Sequence, residues 1–341
     1  MLEAHEEERY SRQILFTEIG EEGQERLLAS TAVIAGCGAL GTAQADALAR
    51  AGVGRLVVID RDYVESSNLQ RQSLFDEADA REVLPKAVAA ARHLSAANSG
   101  IRIEPVVADL TARNAESLLS GADVILDGAD NFELRYLINY WAVKNGVPWI
   151  YGAAVRSYGV TMPILPNESA CLACLFPEPP SGPQATCDTA GILNTVTSII
   201  GALQVADATK ILAGRAESVE PRLFSIDVWK NTHRTVSSCE RNPECVVCGE
   251  RKFVHLESSK RRPVSLCGRN AVQIHDREEP IDLESLARRL EPLGTVSVNP
   301  YALRFAVDLY QMTIFLDGRA IIKGTEDTGV ARGLYARYVG N

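Results

Sequence analysis

The sequence lacks an excess of basic residues. Its 341 residues include 35 Lys and Arg against 44 Asp and Glu, which gives a net charge of −9 when His is neutral. General binding to nucleic acid or to an anionic membrane needs basic surface that releases counterions, so the composition argues against both function classes. With 46% hydrophobic and 23% charged residues, the chain has the composition of a folded globular protein.

The sequence also lacks a long uninterrupted apolar run. The first ten residues, MLEAHEEERY, are acidic and contain no apolar signal core, so we expect a cytoplasmic protein. The longest apolar stretch, residues 190–214, is interrupted by four side chains that would be costly in hydrocarbon: Asn194, Gln204, Asp207 and Lys210. We therefore predict a buried amphipathic helix in this stretch and no membrane span.

The five histidines are scattered without the spacing of metal ligands, and the metal signal comes from cysteine instead. Two C-x-x-C pairs, Cys171/Cys174 and Cys245/Cys248, lie more than seventy residues apart. In a reducing compartment such pairs favour a metal over disulfides. Four thiolates close the coordination shell of a tetrahedral Zn²⁺, so we predict a structural zinc, with Cys239 as a competing ligand.

The first half of the chain alternates apolar runs with helical patterns. The run Thr31–Ala35 is followed by a glycine turn, a helical pattern to Ala51 and a second apolar run, Leu56–Ile59, that ends at Asp60. This order predicts one right-handed βαβ unit. Four further segments continue the alternation and predict a mainly parallel, Rossmann-like sheet with helices on both faces. They are Pro85–Ala97 (helix), Ile101–Val107 (strand), the region of Glu116 (helix) and Asp123–Leu126 (strand).

The second half predicts an antiparallel extension and a small additional domain. The extended segments within Pro148–Leu165 read as antiparallel strands, and the Pro- and Gly-rich segment Phe176–Asp188 as a flexible loop. A strand is expected at Arg222–Trp229. Beyond the charged stretch 250–263, a helix at Leu283–Leu290 and a hairpin within Leu303–Ile322 indicate an α+β fold. The predicted division is therefore an α/β domain at 1–249, a linker at 250–263 and an α+β domain at 264–341.

The glycine turn predicts a nucleotide site. Gly36, Gly38 and Gly41 allow the backbone to turn tightly and to approach a phosphate at the N-terminus of the following helix. Asp60 stands at the end of the next strand, where such folds bind a ribose hydroxyl. A nicotinamide dehydrogenase would satisfy the same two features, so both readings stay open at this point.

Polar residues beyond the turn favour phosphate-transfer chemistry. Asp62, the segment Ser67–Gln72, Lys86 and the pair Asp130-Asn131 supply cations, amide donors and a carboxylate at a strand end. A nucleoside triphosphate and its Mg²⁺ require such groups, whereas hydride transfer does not. Any one of these residues alone could be a solvated loop residue or a helix cap, so the prediction depends on their combination.

These motifs together resemble the ThiF/MoeB/HesA adenylyltransferases, relatives of the ubiquitin-activating enzymes. The resemblance runs from about Arg9 to Cys248 and includes the segment Arg9–Gln13, the glycine turn and both cysteine pairs. The C-terminal part resembles the extension found on bacillus-type ThiF proteins. One departure is Ala39, where the family usually has a second glycine; a methyl group is tolerated there if the backbone stays in the right-handed region.

The resemblance implies ATP- and Mg²⁺-dependent adenylation of the C-terminal Gly-Gly carboxylate of a small ubiquitin-like sulfur-carrier protein by a homodimer. A ThiS-like carrier of thiamine biosynthesis is favoured, with a MoaD-like carrier of molybdopterin biosynthesis as the alternative. A nicotinamide-dependent oxidoreductase is disfavoured by Arg71, Lys86 and the cysteine pairs. A non-catalytic scaffold subunit would typically lack Arg12 or Asp130, which this chain has.

The resemblance also assigns roles to individual residues. Asp60 would bind the ribose, Asp130 the Mg²⁺, and Arg12 would enter the active site of the partner subunit. Cys187 would join covalently to the activated carrier. The phosphates would be bound by Asn68, Arg71 and Lys86. The remaining residues of the expected nucleotide site are Gly36, Gly38, Ala39, Gly41, Asp62, Ser67, Leu69, Gln70, Gln72 and Asn131.

Overall fold

A computed structural model describes residues 2–178, 187–257, 264–266, 270–275 and 280–340. The chain divides into two compact units. The N-terminal unit comprises Met1–Gly182 and Ile192–Ser258, and the C-terminal unit comprises Pro183–Gly191 and Ser259–Asn341. Within the predicted linker a short helix occupies Val254–Glu257, and residues 258–263 lie outside the described residues. The three-part division at 1–249, 250–263 and 264–341 stays a prediction.

The N-terminal unit is built on one sheet whose described strands run in the order β3-β2-β1-β4-β5-β6-β7-β8. Its first five strands are mutually parallel, as the βαβ pattern predicts for β1 to β4. β5 differs from the prediction, because it lies in the segment expected to be antiparallel but pairs parallel with β4 and antiparallel only with β6. β1 and β4 are buried along nearly their whole length, which explains their near-continuous apolar sequences. The parallel strands are β1 (Thr31–Ala35), β2 (Arg55–Asp60), β3 (Arg102–Val107), β4 (Val124–Asp127) and β5 (Trp149–Val155).

Three antiparallel strands extend this sheet beyond β5. They are β6 (Tyr158–Ile164), β7 (Arg222–Asp227) and β8 (Thr232–Ser237). The strand predicted at Arg222–Trp229 ends two residues earlier, because the chain turns through Asn231, whose φ is +53°. β8 is exposed along its whole length and forms the edge of the sheet.

Helices cover both faces of the sheet and form two hydrophobic cores. One core packs α3, α5 and α10 against one face of β1, β2, β4 and β5, and the other packs α6, α7 and α8 against the opposite face of the same strands. The helix predicted in residues 190–214 is α10, and no helix of the described residues meets the length and hydropathy needed to span a membrane. The helices up to residue 212 are α1 (Ala4–Ile14), α2 (Gly20–Ala29), α3 (Ala39–Ala51), α4 (Glu77–Glu82), α5 (Lys86–Ala97), α6 (Ala115–Leu119), α7 (Phe132–Asn145), α8 (Leu172–Leu175), α9 (Cys187–Ala190) and α10 (Asn194–Leu212).

The C-terminal unit contains an antiparallel sheet in the order β11-β12-β13-β14-β10-β9. Two amphipathic helices pack their apolar side chains, among them Leu286 and Tyr335, against one face of this sheet. The predicted hairpin within 303–322 is a meander of three strands. The helices are α11 (Val254–Glu257, in the N-terminal unit), α12 (Leu283–Leu290) and α13 (Thr328–Tyr338). The strands are β9 (Val264–Leu266), β10 (Ala271–Ile274), β11 (Thr295–Val298), β12 (Ala302–Val307), β13 (Tyr310–Phe315) and β14 (Ala320–Lys323). The predicted fold class is therefore confirmed.

Candidate functional site

The glycine turn after β1 packs its backbone directly against a second turn, the one after β4. Gly36 has φ +100°, and a Cβ there would lie 2.5 Å from the carbonyl oxygen of Gly128. A Cβ on Gly128 or on Gly41 would lie 2.2 or 1.9 Å from the carbonyl oxygen of Gly36. Close packing of the main chain therefore requires glycine at these three positions.

Gly38 is in a different situation, because space is left beside it. A Cβ at this position would have no neighbour closer than 4.0 Å, where it would meet Gln72 Nε2 and the Gly128 carbonyl oxygen. Gly38 is the N-cap of α3, and the first N–H groups of a helix have no intrahelical partner. An anion could approach this helix end. Ala39 is the first residue of α3 in right-handed conformation, so its methyl group is accommodated.

Asp60, Asp62 and Lys86 form a buried charged group at the end of β2. The Asp60 carboxylate accepts hydrogen bonds from the backbone N–H of Cys37 at 2.7 Å and of Asp62 at 2.6 Å. Burial raises the pKa of Asp60 above its usual value, and the charge of Lys86 opposes this rise. Lys86 begins α5, and its Nζ lies 3.2 Å from Asp62 Oδ2. A cation and two carboxylates thus lie beside the glycine turn.

The segment 67–72 is a compact polar turn. Asn68 is buried and accepts a hydrogen bond from the N–H of Glu65, and Arg71 Nη1 donates to the Ser67 carbonyl oxygen at 2.9 Å. Gln72 is 4% exposed, and its Oε1 has no hydrogen-bond partner among the described residues. A buried amide oxygen without a partner is costly, so the side chain beside Gly38 retains capacity for a ligand. Of the other predicted residues here, Ser67 and Gln70 are exposed and Leu69 packs against the core.

Asp130 and Asn131 follow β4, on the turn that contacts Gly36. Asn131 caps α7 by accepting the N–H of Leu134 at 2.9 Å, and its Nδ2 donates to Asp130 Oδ1 at 3.1 Å. The Asp130 side chain is exposed at the same sheet edge as the glycine turn. The structure therefore brings together the ends of three parallel strands, which carry the predicted phosphate, ribose and metal residues.

Four buried polar residues beside this site were not predicted. The Asp127 carbonyl oxygen, at the end of β4, accepts hydrogen bonds from Gln44 of α3 at 2.9 Å and from Gln204 of α10 at 3.0 Å. The Asp127 carboxylate lies 3.4 Å from Nε of Arg135 on α7. Burial raises the pKa of Asp127 to about 6, against the lowering effect of Arg135. The only local signal was an acidic residue ending an apolar strand.

The segment 9–13, which contains Arg9 and Arg12, lies at the C-terminal ends of α3 and α5. The N-terminal ends of these two helices border the site. Gln13 donates to the Ala51 carbonyl oxygen at the C-terminal end of α3, and Arg9 donates to that of Ala97 at the C-terminal end of α5. Arg12 lies in the last turn of α1 and is exposed. The 13 residues of α3 span about 20 Å, which separates the neighbours of Arg12 from the glycine turn of the same chain.

The two cysteine pairs meet in one cluster. All four sulfur atoms lie within 4.8 Å of one another, with Cys174 Sγ 3.3 Å from Cys248 Sγ and Cys171 Sγ 3.7 Å from Cys245 Sγ. Asn139 Nδ2 lies 3.7 Å from Cys171 Sγ, and its Oδ1 accepts the N–H of Leu172. This cluster could hold a metal ion. The competing ligand considered above, Cys239, is exposed and does not belong to it.

Cys187 belongs to a different compact unit from the residues just described. It is the first residue of α9, a four-residue helix, and groups with the C-terminal unit. The loop expected at Phe176–Asp188 is only partly testable, because residues 179–186 lie outside the described residues. Its last two positions, Cys187 and Asp188, are helical. Cys187 is half-buried.

Comparison with known proteins identifies the family. The ThiF family model matches residues 10–247. The chain belongs to the ThiF family. It is 45% identical over 336 residues to the sulfur carrier protein ThiS adenylyltransferase of Bacillus subtilis (strain 168), covering 97% of this chain and 99% of the relative. An alignment of this length includes the C-terminal unit.

Two further relatives are more distant. The SAMP-activating enzyme E1 of Haloferax volcanii is 40% identical over 250 residues, which cover 73% of this chain and 91% of that protein. Among solved structures, E. coli MccB with ATP is 26% identical with a TM-score of 0.62, covering 71% of this chain and 73% of MccB. The predicted membership among the ThiF-type adenylyltransferases is therefore confirmed.

The two glycine environments predict that the same added methyl group changes the free energy of unfolding by very different amounts. Gly41→Ala should lower the stability by about 3 kcal/mol or more, because its Cβ would overlap the Gly36 carbonyl oxygen. Gly38→Ala should lower it by only about 1 kcal/mol, because a Cβ there overlaps no atom and the cost comes from a backbone, with φ −87° and ψ −146°, that lies outside the region preferred by residues with a side chain. Thermal unfolding of both variants tests this, and equal losses would contradict the assignment.

Proposed function

We propose that this protein adenylates the C-terminal carboxylate of a small ubiquitin-like sulfur-carrier protein that ends in Gly-Gly, using ATP and Mg²⁺. The observation that carries the proposal is the convergence of Gly38, Lys86 and Asp130 at one edge of the parallel sheet. The similar proteins support it: one is named for adenylating a sulfur carrier, and the MccB structure was determined with ATP.

The proposed reaction needs charge compensation rather than a general base. The carrier carboxylate is already ionised at neutral pH and attacks the α-phosphate, with pyrophosphate as the leaving group. The barrier comes mainly from bringing an anion to a polyanion, so cations lower it. Asn68, Arg71 and Lys86 would bind the phosphates, Asp60 the ribose and Asp130 the Mg²⁺. The open side of Gly38 would admit the phosphates to the N-terminus of α3.

The carrier is proposed to be ThiS-like. The Bacillus subtilis relative named for ThiS matches 97% of this chain, whereas the Haloferax volcanii relative matches 73%. Of these two relatives, the one named for ThiS is therefore the one whose similarity extends over the C-terminal unit. A MoaD-like carrier is the second candidate, because the nucleotide site described above contains nothing that selects between carriers.

A homodimer with shared active sites is proposed on two observations. The neighbours of Arg12 are bound at the C-terminal ends of α3 and α5, so Arg12 is separated by the length of α3 from the glycine turn of its own chain. In addition, α10 exposes an uncharged face formed by Thr195, Ser198, Ile199, Ala202 and Ala206. Such a face is suited to burial against a second copy, which would bring Arg12 to the partner's site.

The four-cysteine cluster is proposed to hold a structural Zn²⁺. Tetrahedral Zn²⁺ with sulfur ligands at about 2.3 Å separates those sulfurs by about 3.8 Å, close to the separations of 3.3 to 3.9 Å observed here. The metal would join α8, which follows β6, to the segment after β8.

Cys187, by contrast, is proposed to act on the activated carrier after adenylation, since the adenylation step itself needs no thiol.

Carrier-dependent exchange of pyrophosphate into ATP tests the adenylation directly. Asp130→Ala should lower the exchange rate by roughly 10² to 10³, because the Mg²⁺ ligand compensates charge throughout the reaction. Cys187→Ala is the matched control and should retain nearly full exchange. Absence of exchange by the wild-type protein with both ThiS-like and MoaD-like carriers would refute the function, and loss in Cys187→Ala would place the thiol in the adenylation step.

Metal analysis tests the zinc cluster. The purified protein should contain one zinc per chain, and Cys171→Ser should lose it and unfold at a lower temperature because three ligands bind Zn²⁺ less tightly. Cys239→Ser is the control, since this exposed residue lies outside the cluster. Equal zinc content in the wild type and Cys171→Ser would show that the assignment is wrong.

Subunit mixing tests the shared active site. Arg12→Ala and Asp130→Ala should each be inactive alone, and a mixture should regain up to about one quarter of the wild-type exchange rate per chain. This follows because half of the dimers are hybrids and each hybrid has one intact site. Exchange of subunits is verified by mass spectrometry. With exchange verified, a mixture that stays inactive would place Arg12 in its own subunit's site or outside catalysis.

A further inference from the structure

We propose that Asp127 and Arg135 are positioning residues that fix the peptide before Asp130, and so set the affinity of the nucleotide site for its divalent cation. The inference rests on the proposed function, because it assumes that Asp130 binds the metal. Neither residue was predicted from the sequence. Their contacts converge on the turn between β4 and α7.

The carboxylate of Asp127 is wholly buried and binds two backbone N–H groups. One oxygen accepts the N–H of Ala129 at 2.9 Å, and the other accepts that of Gly152 at 3.4 Å. The first bond folds the turn back on its own strand end, two residues along the chain. The second ties it to the neighbouring strand, β5. The carboxylate therefore acts as a fixed anchor for the first half of the turn.

Arg135 binds the same turn from α7. Its Nη2 donates to the Ala129 carbonyl oxygen at 2.8 Å, while its Nε lies 3.4 Å from Asp127 Oδ2. The guanidinium group is 7% exposed and lies 5.2 Å from the ring centre of Phe132 and 5.7 Å from that of Tyr151. One planar cation thus neutralises Asp127 and holds the turn at once, which a lysine ammonium cannot do with the same geometry.

The contacts of Asp127 and Arg135 affect Asp130 because Ala129, to which both bind, is its immediate neighbour in the chain. Both polar backbone groups of Ala129 are bound by these two side chains, the N–H by Asp127 and the carbonyl by Arg135. Asp130 itself projects to the exposed edge of the site. The peptide that Asp127 and Arg135 hold therefore fixes the backbone from which the Asp130 side chain projects. Side chains that orient a metal ligand from behind change metal affinity by about 10- to 100-fold when altered.

The same anchor is connected to the helices on the other side of the sheet. Gln44 of α3 and Gln204 of α10 both donate to the Asp127 carbonyl oxygen, and Gln204 also donates to that of Ile150. Asp127 is thus held at its backbone from one face of the sheet and at its carboxylate from the other. Because Asp127 is bound from both faces, it is expected to stay in place, so the turn holds the backbone of Asp130 in one position.

Binding of Mn²⁺, as a paramagnetic substitute for Mg²⁺, tests the proposal by electron paramagnetic resonance with ATP present. Arg135→Lys keeps the positive charge but loses the forked contact, and it should raise the Kd for Mn²⁺ at least tenfold. Asp127→Asn should act in the same direction. In both variants the affinity for ATP in EDTA should be unchanged, which a general structural defect would not allow. Asp130→Asn is the reference for loss of the ligand itself.

Arg55→Lys serves as the control, because Arg55 forms an arginine–carboxylate pair with Glu104 at the other end of β2. It should leave both affinities unchanged. The proposal is overturned if Arg135→Lys binds Mn²⁺ like the wild type, or if its affinities for Mn²⁺ and for metal-free ATP fall together. If the wild type binds no Mn²⁺ with ATP, or if Asp130→Asn binds it normally, then the metal role of Asp130 fails, and with it this proposal.

Discussion

The direct contact between the main chains of two turns is the constraint on which the site depends. Gly36, Gly41 and Gly128 approach so closely that none can carry a side chain without displacing backbone. The contact fixes the start of α3 against the end of β4, two elements that are distant in sequence. It therefore determines how far the first N–H groups of α3 lie from Asp130, before any side chain contributes.

Buried charged residues also shape the site. Two buried cations, Lys86 and Arg135, each lie beside a carboxylate. Lys86 lies beside Asp62, and Arg135 beside Asp127. Removing one member of such a pair leaves an uncompensated buried charge, which is strongly destabilising. Cys37 is a residue of the glycine turn, but burial raises the pKa of its thiol, so this side chain adds no charge. Neighbouring carboxylates thus neutralise these buried cations within the fold, while other charged residues, such as Asp130, lie exposed at the edge of the site.

The sequence was informative where chemistry and spacing are local. The apolar runs of β1 and β4, the glycine spacing, Asp60 and the two cysteine pairs could all be recognised from their near neighbours. β8 could not, because its sequence Thr232–Ser237 is polar and exposed, with pairing to β7 as its main support. Its formation depends on an adjacent strand, which no local pattern reveals.

Two of the residues that sequence reasoning missed at the site, Gln44 and Gln204, have partners that are distant in sequence. Gln44 and Gln204 are 160 positions apart and hydrogen-bond to each other as well as to Asp127. An isolated glutamine in an apolar helix gives no indication of such a partner. The predicted residues, by contrast, belong to turns whose glycine, lysine and aspartate already indicate phosphate chemistry. Local motifs thus predict the groups proposed to face a ligand, whereas the groups that hold them in place required the structure.

The division of the chain also separates two kinds of chemistry. Every residue proposed to bind ATP or its metal belongs to the N-terminal unit, whereas Cys187 groups with the C-terminal unit. The adenylation geometry is assembled from β1, β2, β4, α3 and α5, so its contacts do not require the C-terminal sheet. The relative named for ThiS is similar over both units, and the step proposed for the thiol of Cys187 is the one that would involve the C-terminal unit. The two proposed steps thus depend on different parts of the fold.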